Sequence, residues 1–129
     1  MADAIAEGIR ESDSPSTVKV FNISKSDIND LVTEVFKSRL ILVGSPTVGK
    51  GITHATAGLL EMIEGLRFKG KKAAGFGCYG WSGEGVAKIN KILVASGFEL
   101  INDGLKVLWV PDESAVEECK AFGKKLVGI

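Results

Sequence analysis

Residues 71–85, KKAAGFGCYGWSGEG, decide the fold reading. The stretch opens as a short strand, 72–77, enters a loop crowded with Gly75, Gly77, Gly80, Gly83 and Gly85, and becomes helical from about Ser82. Glycines let a ligand approach the backbone closely. Tyr79 and Trp81, held between them, offer the flat apolar face that a planar heteroaromatic ligand requires. The same residues also suit a plain glycine-rich turn whose aromatics pack on their own domain.

Upstream, residues 39–44 (RLILVG) form a continuous apolar run bounded by turn residues, the pattern of a strand covered on both faces. A helix over 54–65 follows, with Leu59, Leu60 and Ile63 inward. Met1, Ile5 and Ile9 recur every fourth residue, so the chain begins inside a helix with no capping residue ahead of it. After a loop at 12–16, TVKVFN (residues 17–22) alternates as a half-buried strand does. Ser24 or Ser26 is the expected cap of a helix over 27–37 with Ile28, Leu31, Val32 and Val35 as its apolar stripe. Downstream, a helix over 82–96 uses Val86, Ile89, Leu93 and Val94 and stops at Gly97. Residues 98–101 and 105–110 read as two short strands around Asn102, Asp103 and Gly104. A last helix over 113–127 follows Pro111 and Asp112, with Val116, Cys119, Phe122 and Leu126 on its stripe. Strands alternating with helices predict a three-layer α/β/α sandwich on a parallel sheet. Ligands of such sheets sit at the carboxyl ends of the strands, where the loops after Gly44 and Gly77 lie.

The 129 residues amount to one domain, 1–129, without repeat or linker. Sixteen basic residues balance sixteen acidic ones, which gives no footprint for nucleic acid or an anionic membrane. No apolar run reaches the length of a membrane span, and the first residues lack a secretory signal pattern. Cys78 and Cys119 show no metal-like spacing, which fits a reduced, cytoplasmic protein.

GSPTVGKG (residues 44–51) nearly spells the phosphate loop of nucleotide hydrolases. Gly51, however, stands where a hydroxyl must hold magnesium, and Pro46 removes a backbone donor from the cradle. The better reading is a ligand-flanking loop in which Ser45 and Thr47 offer hydroxyls. His54, the only histidine, is expected on the surface at a helix start. Cys78 has no resolving partner or obvious base, and reads as small polar filler. Trp109 reads as core or strand-end packing, and Lys69, Lys71 and Lys72 as a solvated turn.

GSPT after its strand, FGCYGWSGEG after the next, and WVPDE followed by ECKAFGKKL together resemble the flavodoxin-like domain at the C-terminal end of flavodiiron proteins. Short-chain flavodoxins share much of the pattern. The resemblance covers essentially the whole chain and implies a parallel five-stranded sheet of order 2-1-3-4-5 that binds FMN. Ser45, Pro46 and Thr47, with Val48 and Gly49 after them, match the loop on one side of the flavin. Gly77, Cys78, Tyr79, Gly80, Trp81 and Gly83 match the loop on the other. Three positions depart: Gly49 and Lys50 stand where asparagines are usual, and Cys78 where a serine is. The front departs further. The family's first strand and its phosphate-gripping loop precede a helix that reads like MADAIAEGI, so that strand and loop are missing here.

The resemblance thus implies an FMN electron-transfer module that serves a redox partner or a di-iron lactamase-like domain, with no metal site of its own. FMN would be bound weakly or not at all if the phosphate half of the site is missing. The alternative expectation is a cofactor-free fragment that depends on a partner. In that case the exposed strand edges at 17–22 and 39–44 would close up against each other, or a second copy or a partner chain would supply the missing strand.

Overall fold

The computed structural model describes residues 1–12 and 17–127. Strand β2 (Lys72–Tyr79) is the centre of the sheet, flanked by β1 (Leu40–Gly44) on one side and by β3 (Glu99–Leu100) and β4 (Leu105–Leu108) on the other, all parallel. β1 runs in register with β2 from Leu40 opposite Lys72 to Gly44 opposite Phe76.

β3 and β4 are not a hairpin. β3 pairs with the start of β2 and β4 with its end, so they are two pieces of one interrupted strand. Asn90 fills the interruption. Its Oδ1 accepts from the Gly75 N–H at 2.9 Å and its Nδ2 donates to the Asp103 carbonyl at 2.8 Å, replacing the missing ladder bonds with buried side-chain ones.

Helices cover both faces. α1 (Ala2–Arg10) and α5 (Glu113–Leu126) lie on one face, where Ile5, Cys119 and Leu126 pack with Leu105, Val107, Leu40 and Leu42. α2 (Ile28–Lys37), α3 (His54–Leu66) and α4 (Glu84–Ala95) lie on the other, around Leu31, Leu60, Ile63, Ile89 and Leu93. Each such side chain contributes about 1.5–3 kcal/mol when withdrawn from water. α1 and α5 approach closely because Gly8 sits on the Lys120 carbonyl and Gly123 on the Ile5 carbonyl. Ion pairs Lys120–Glu7 at 3.1 Å and Lys124–Glu11 at 3.4 Å flank that seam.

Several local expectations need correcting. The cap of α2 is Asp27, whose carboxylate accepts from the Asn29 N–H at 2.8 Å, whereas Ser26 donates to the Asn22 carbonyl and closes a 3₁₀ turn at Ile23–Lys25. α4 begins at Glu84 and leaves Val94 exposed on its outer side. On α5 the inward positions are Ala115, Cys119, Gly123 and Leu126, and Val116 is only half-buried. Most of the loop expected at 12–16 lies outside the described residues.

The largest correction concerns residues 17–22, which join no sheet. Their alternation is strand-like, but a strand is stable only when its backbone has a ladder partner. No described strand lies beside them, and Val20 and Phe21 remain 41% and 43% exposed. For the same reason β1 has an open outer edge. Of its residues only Val43 is buried, not the whole run.

Candidate functional site

The loop after β1 is folded by its own short side chains. The Ser45 N–H continues the ladder to the Phe76 carbonyl at 3.1 Å, and its Oγ accepts from the Thr53 N–H at 3.0 Å, drawing the two ends of the loop together. Between them Val48 and Gly51 exchange backbone hydrogen bonds of 3.0 and 2.8 Å around Gly49 and Lys50. Both central residues have positive φ, 51° and 68°, as a type I′ turn demands. This geometry removes the phosphate-loop reading. The Val48 and Gly51 N–H groups are spent on each other, and α3 starts only at His54, which is exposed as expected.

The loop after β2 is laced to the first. The Thr47 N–H donates to the Cys78 carbonyl at 2.9 Å, and Thr47 Oγ1 accepts from the Gly85 N–H at 3.0 Å. α4 has no capping side chain of its own at Gly83, so Thr47 supplies the cap from across the cleft. Gly77 is required here, because a Cβ would overlap the Ser45 carbonyl oxygen. Ser45, Thr47, Gly77 and Cys78 therefore form one rigid joint at the carboxyl edge of β1 and β2.

Above that joint the apolar residues point to solvent. Trp81 is 95% exposed and Val48 56%, one on each loop. Tyr79 is half-buried, with Lys106 Nζ 5.9 Å from its ring centroid. Trp109 belongs to the same rim. It is 63% exposed, its N–H donates to the Tyr79 carbonyl at 2.6 Å, and its ring lies against Gly80, where a Cβ would come within 2.7 Å. Trp109 is thus strand-end packing rather than core. The signal for its place at the rim was its position one residue past the carboxyl end of β4.

The N–H groups of Gly49, Lys50, Gly80 and Trp81 have no backbone acceptor among the described residues. Glu84 sits at the start of α4 close to this rim. The Ser82 hydroxyl, its own backbone N–H and the charges of Lys50 and Lys106 hold its carboxyl below the usual carboxylate range, although partial burial opposes them. Cys78 is partly exposed and its thiol is free, whereas burial pushes the Cys119 thiol up. Lys71 is not a free cation of the turn, because its Nζ donates to the Phe36 and Ser38 carbonyls at 2.9 and 2.6 Å. Among the described residues no group of three or more His, Cys, Asp or Glu side chains could hold a metal ion.

The sequence matches the flavodoxin family over residues 1–123. The chain belongs to that family. It is 49% identical over 126 residues to the anaerobic nitric oxide reductase flavorubredoxin of Vibrio vulnificus, an alignment that spans 98% of this chain and 25% of the relative. The flavorubredoxin of Escherichia coli O1:K1 / APEC is 44% identical over the same length. The chain therefore spans about a quarter of the length of these curated relatives. Among solved structures it is similar to rubredoxin oxygen:oxidoreductase of Desulfovibrio gigas, with a TM-score of 0.87 and 32% identity over 95% of this chain and 30% of that one. Flavodoxin 1 of Bacillus cereus matches with a TM-score of 0.79 and 28% identity over 95% of this chain and 83% of that one. The flavodoxin-like α/β fold is thus shared with both flavodiiron proteins and free-standing flavodoxins. Among the described residues no helix is long and apolar enough to cross a membrane.

Proposed function

We propose that residues 1–129 act as a single FMN-binding electron-transfer domain. Ser45, Pro46, Thr47, Val48 and Gly49 line one side of the flavin ring, and Gly77, Cys78, Tyr79, Gly80, Trp81 and Gly83 the other. The observation that carries this reading is the Thr47 joint, which fixes the two loops to each other while leaving Val48 and Trp81 facing solvent on either side.

The ring half of an FMN site fits these residues. Exposed Trp81 and Tyr79 supply a stacking face, and the unbonded N–H groups of Gly49, Lys50, Gly80 and Trp81 supply donors for polar ring edges. The phosphate half is not matched. The first turn of α1 carries Asp3 and no hydroxyl, and no described loop at this edge gathers free hydroxyls. Affinity would then come from the ring, so FMN is held weakly.

When bound, the flavin supplies the one- and two-electron chemistry. The chain's own residues bind and orient it. The Thr47 joint sets the gap between the loops, Trp81 shields a ring face from water, and Lys106 and Lys50 place positive charge at the rim. The electrons pass to a redox partner or, as in the flavodiiron arrangement, to a di-iron lactamase-like domain in the cytoplasm. Equilibrium dialysis against FMN tests the assignment: flavin is expected to be enriched on the protein side, and Trp81→Ala to reduce that enrichment. Unchanged flavin retention in Trp81→Ala would remove Trp81 from the site.

A further inference from the structure

β4 runs out of step with β3. Between the Ala73–Leu100 pair and the Phe76–Leu105 pair, β2 spends two residues, Ala74 and Gly75, while the outer chain spends four, Ile101 to Gly104. The outer chain thus carries a bulge of two extra residues. An even number keeps the faces of the strand as they were, so Leu105 and Val107 are buried and Lys106 and Leu108 stay outside. What changes is the reach of the chain. In the step of β3, Lys106 would stand opposite Tyr79; in the bulged register Leu108 does. Everything after it is drawn back by about 6–7 Å, the length of two strand residues.

That register brings the rim together. The Trp109 N–H donates to the Tyr79 carbonyl at 2.6 Å, the Trp109 ring lies on Gly80, and Lys106 Nζ stands 5.9 Å from the Tyr79 ring centroid. Trp109 holds a φ of 59°, a conformation that a bulky residue keeps only where its surroundings fix it. The bulge itself is pinned from α4. The buried Asn90 amide accepts from the Gly75 N–H opposite the bulge and donates to the Asp103 carbonyl within it. Gly104 seats the turn, with a φ of 89° and its N–H bonded to Asn102 Oδ1 at 2.8 Å. The unbulged register is closed to the chain, because it would set Asp103 opposite Phe76 on the face that Leu105 and Val107 bury.

We infer that Asn90 is a positioning residue for the flavin rim: from within α4 it holds the bulge that sets Lys106 and Trp109 against Tyr79 and Gly80. Thr47 fixes the start of the same helix, so α4 ties the edge strand and the first loop to one ruler. Asn90 touches no ligand atom, and its role presupposes the flavin site proposed above.

The test compares the parent with Asn90→Ala by NMR and by riboflavin titration. Asn90→Ala leaves the Gly75 N–H and the Asp103 carbonyl without partners, and the strand beyond the bulge works loose. Amide exchange of Trp109 is expected to quicken about tenfold more than that of Val43 in β1, which follows overall stability. The Gly80 amide resonance is expected to lose the ring-current shift that Trp109 imposes, and the riboflavin Kd to rise about tenfold. Asn102→Ala is a milder, exposed change that frees only the Gly104 N–H; it should move the same signals in the same direction, and it carries the test if Asn90→Ala does not fold. Equal quickening at Trp109 and Val43 would make Asn90 a purely structural residue and overturn the inference, as would an unmoved Gly80 resonance. If the parent binds riboflavin and the variant binds it equally well, the role of Asn90 falls while the flavin site stands. If the parent binds none, the flavin site itself falls, and this role with it.

Discussion

The Thr47 N–H donates to the Cys78 carbonyl at 2.9 Å, and the Thr47 hydroxyl accepts from the Gly85 N–H at 3.0 Å. One residue of the first loop thereby closes the second loop and caps the helix that follows it. Thr47→Val keeps the side-chain shape but removes the acceptor. Urea denaturation is expected to show a loss of about 1 kcal/mol, the usual worth of a helix cap, and Thr47→Ser should recover most of it. A Thr47→Val variant as stable as the parent would mean that the cap is replaced by water.

Gly77 and Gly58 give opposite expectations for the same substitution. At Gly77 a new Cβ overlaps the Ser45 carbonyl oxygen, so Gly77→Ala must push the loops apart, at a cost of about 1–3 kcal/mol or more. Gly58 lies inside α3 with open space around it, and Gly58→Ala is expected to raise stability by about 0.5–1 kcal/mol. Thermal melts of the two variants should move in opposite directions.

The two thiols differ in environment and should differ in reactivity. Cys78 is partly exposed at the loop joint, while Cys119 is buried between α5 and the sheet, where desolvation raises its pKa. A thiol-reactive disulfide is expected to titrate one cysteine in the native protein and both in denaturant. Saturating FMN should slow the native reaction. Rapid modification of both thiols in the folded state contradicts the packing of α5.

Glu84 sets a pH dependence whose sign follows from its lowered pKa. A carboxyl that is more acidic when folded stabilises the protein above its unfolded pKa, near the ordinary 4.5, and loses that contribution as pH falls through the folded value. The parent is therefore expected to lose stability more steeply than Glu84→Gln on acidification below that point. Parallel stability profiles for the two proteins would show that Ser82, Lys50 and Lys106 do not favour the ionised form.

Much of this was legible in the residues because local and global preferences agree. RLILVG and KKAAGFG are apolar, short and bounded by turn residues, and they became β1 and β2; the stripe of Leu59, Leu60 and Ile63 became the inner face of α3. Residues 17–22 failed because alternation reports a face and not a partner, and pairing is decided by what lies alongside. The β3–β4 interruption was hidden for a similar reason, since Asn90, which fills it, reads as an ordinary polar residue of a helix. At the site, the glycines and aromatics of 77–83 were visible, but the role of Thr47 as a cap for α4 was not. Its partner Gly85 is 38 residues away, and no local pattern signals that bond.

A direct comparison of FMN with riboflavin tests the central claim that the two loops hold the flavin by its ring. Titrations followed by flavin fluorescence are expected to give one site per chain, dissociation constants for the two ligands within about tenfold of each other, and weaker binding of both to Trp81→Ala. If neither flavin binds, or if FMN binds far more tightly than riboflavin and Trp81→Ala leaves its affinity unchanged, the ring loops are not what holds the cofactor.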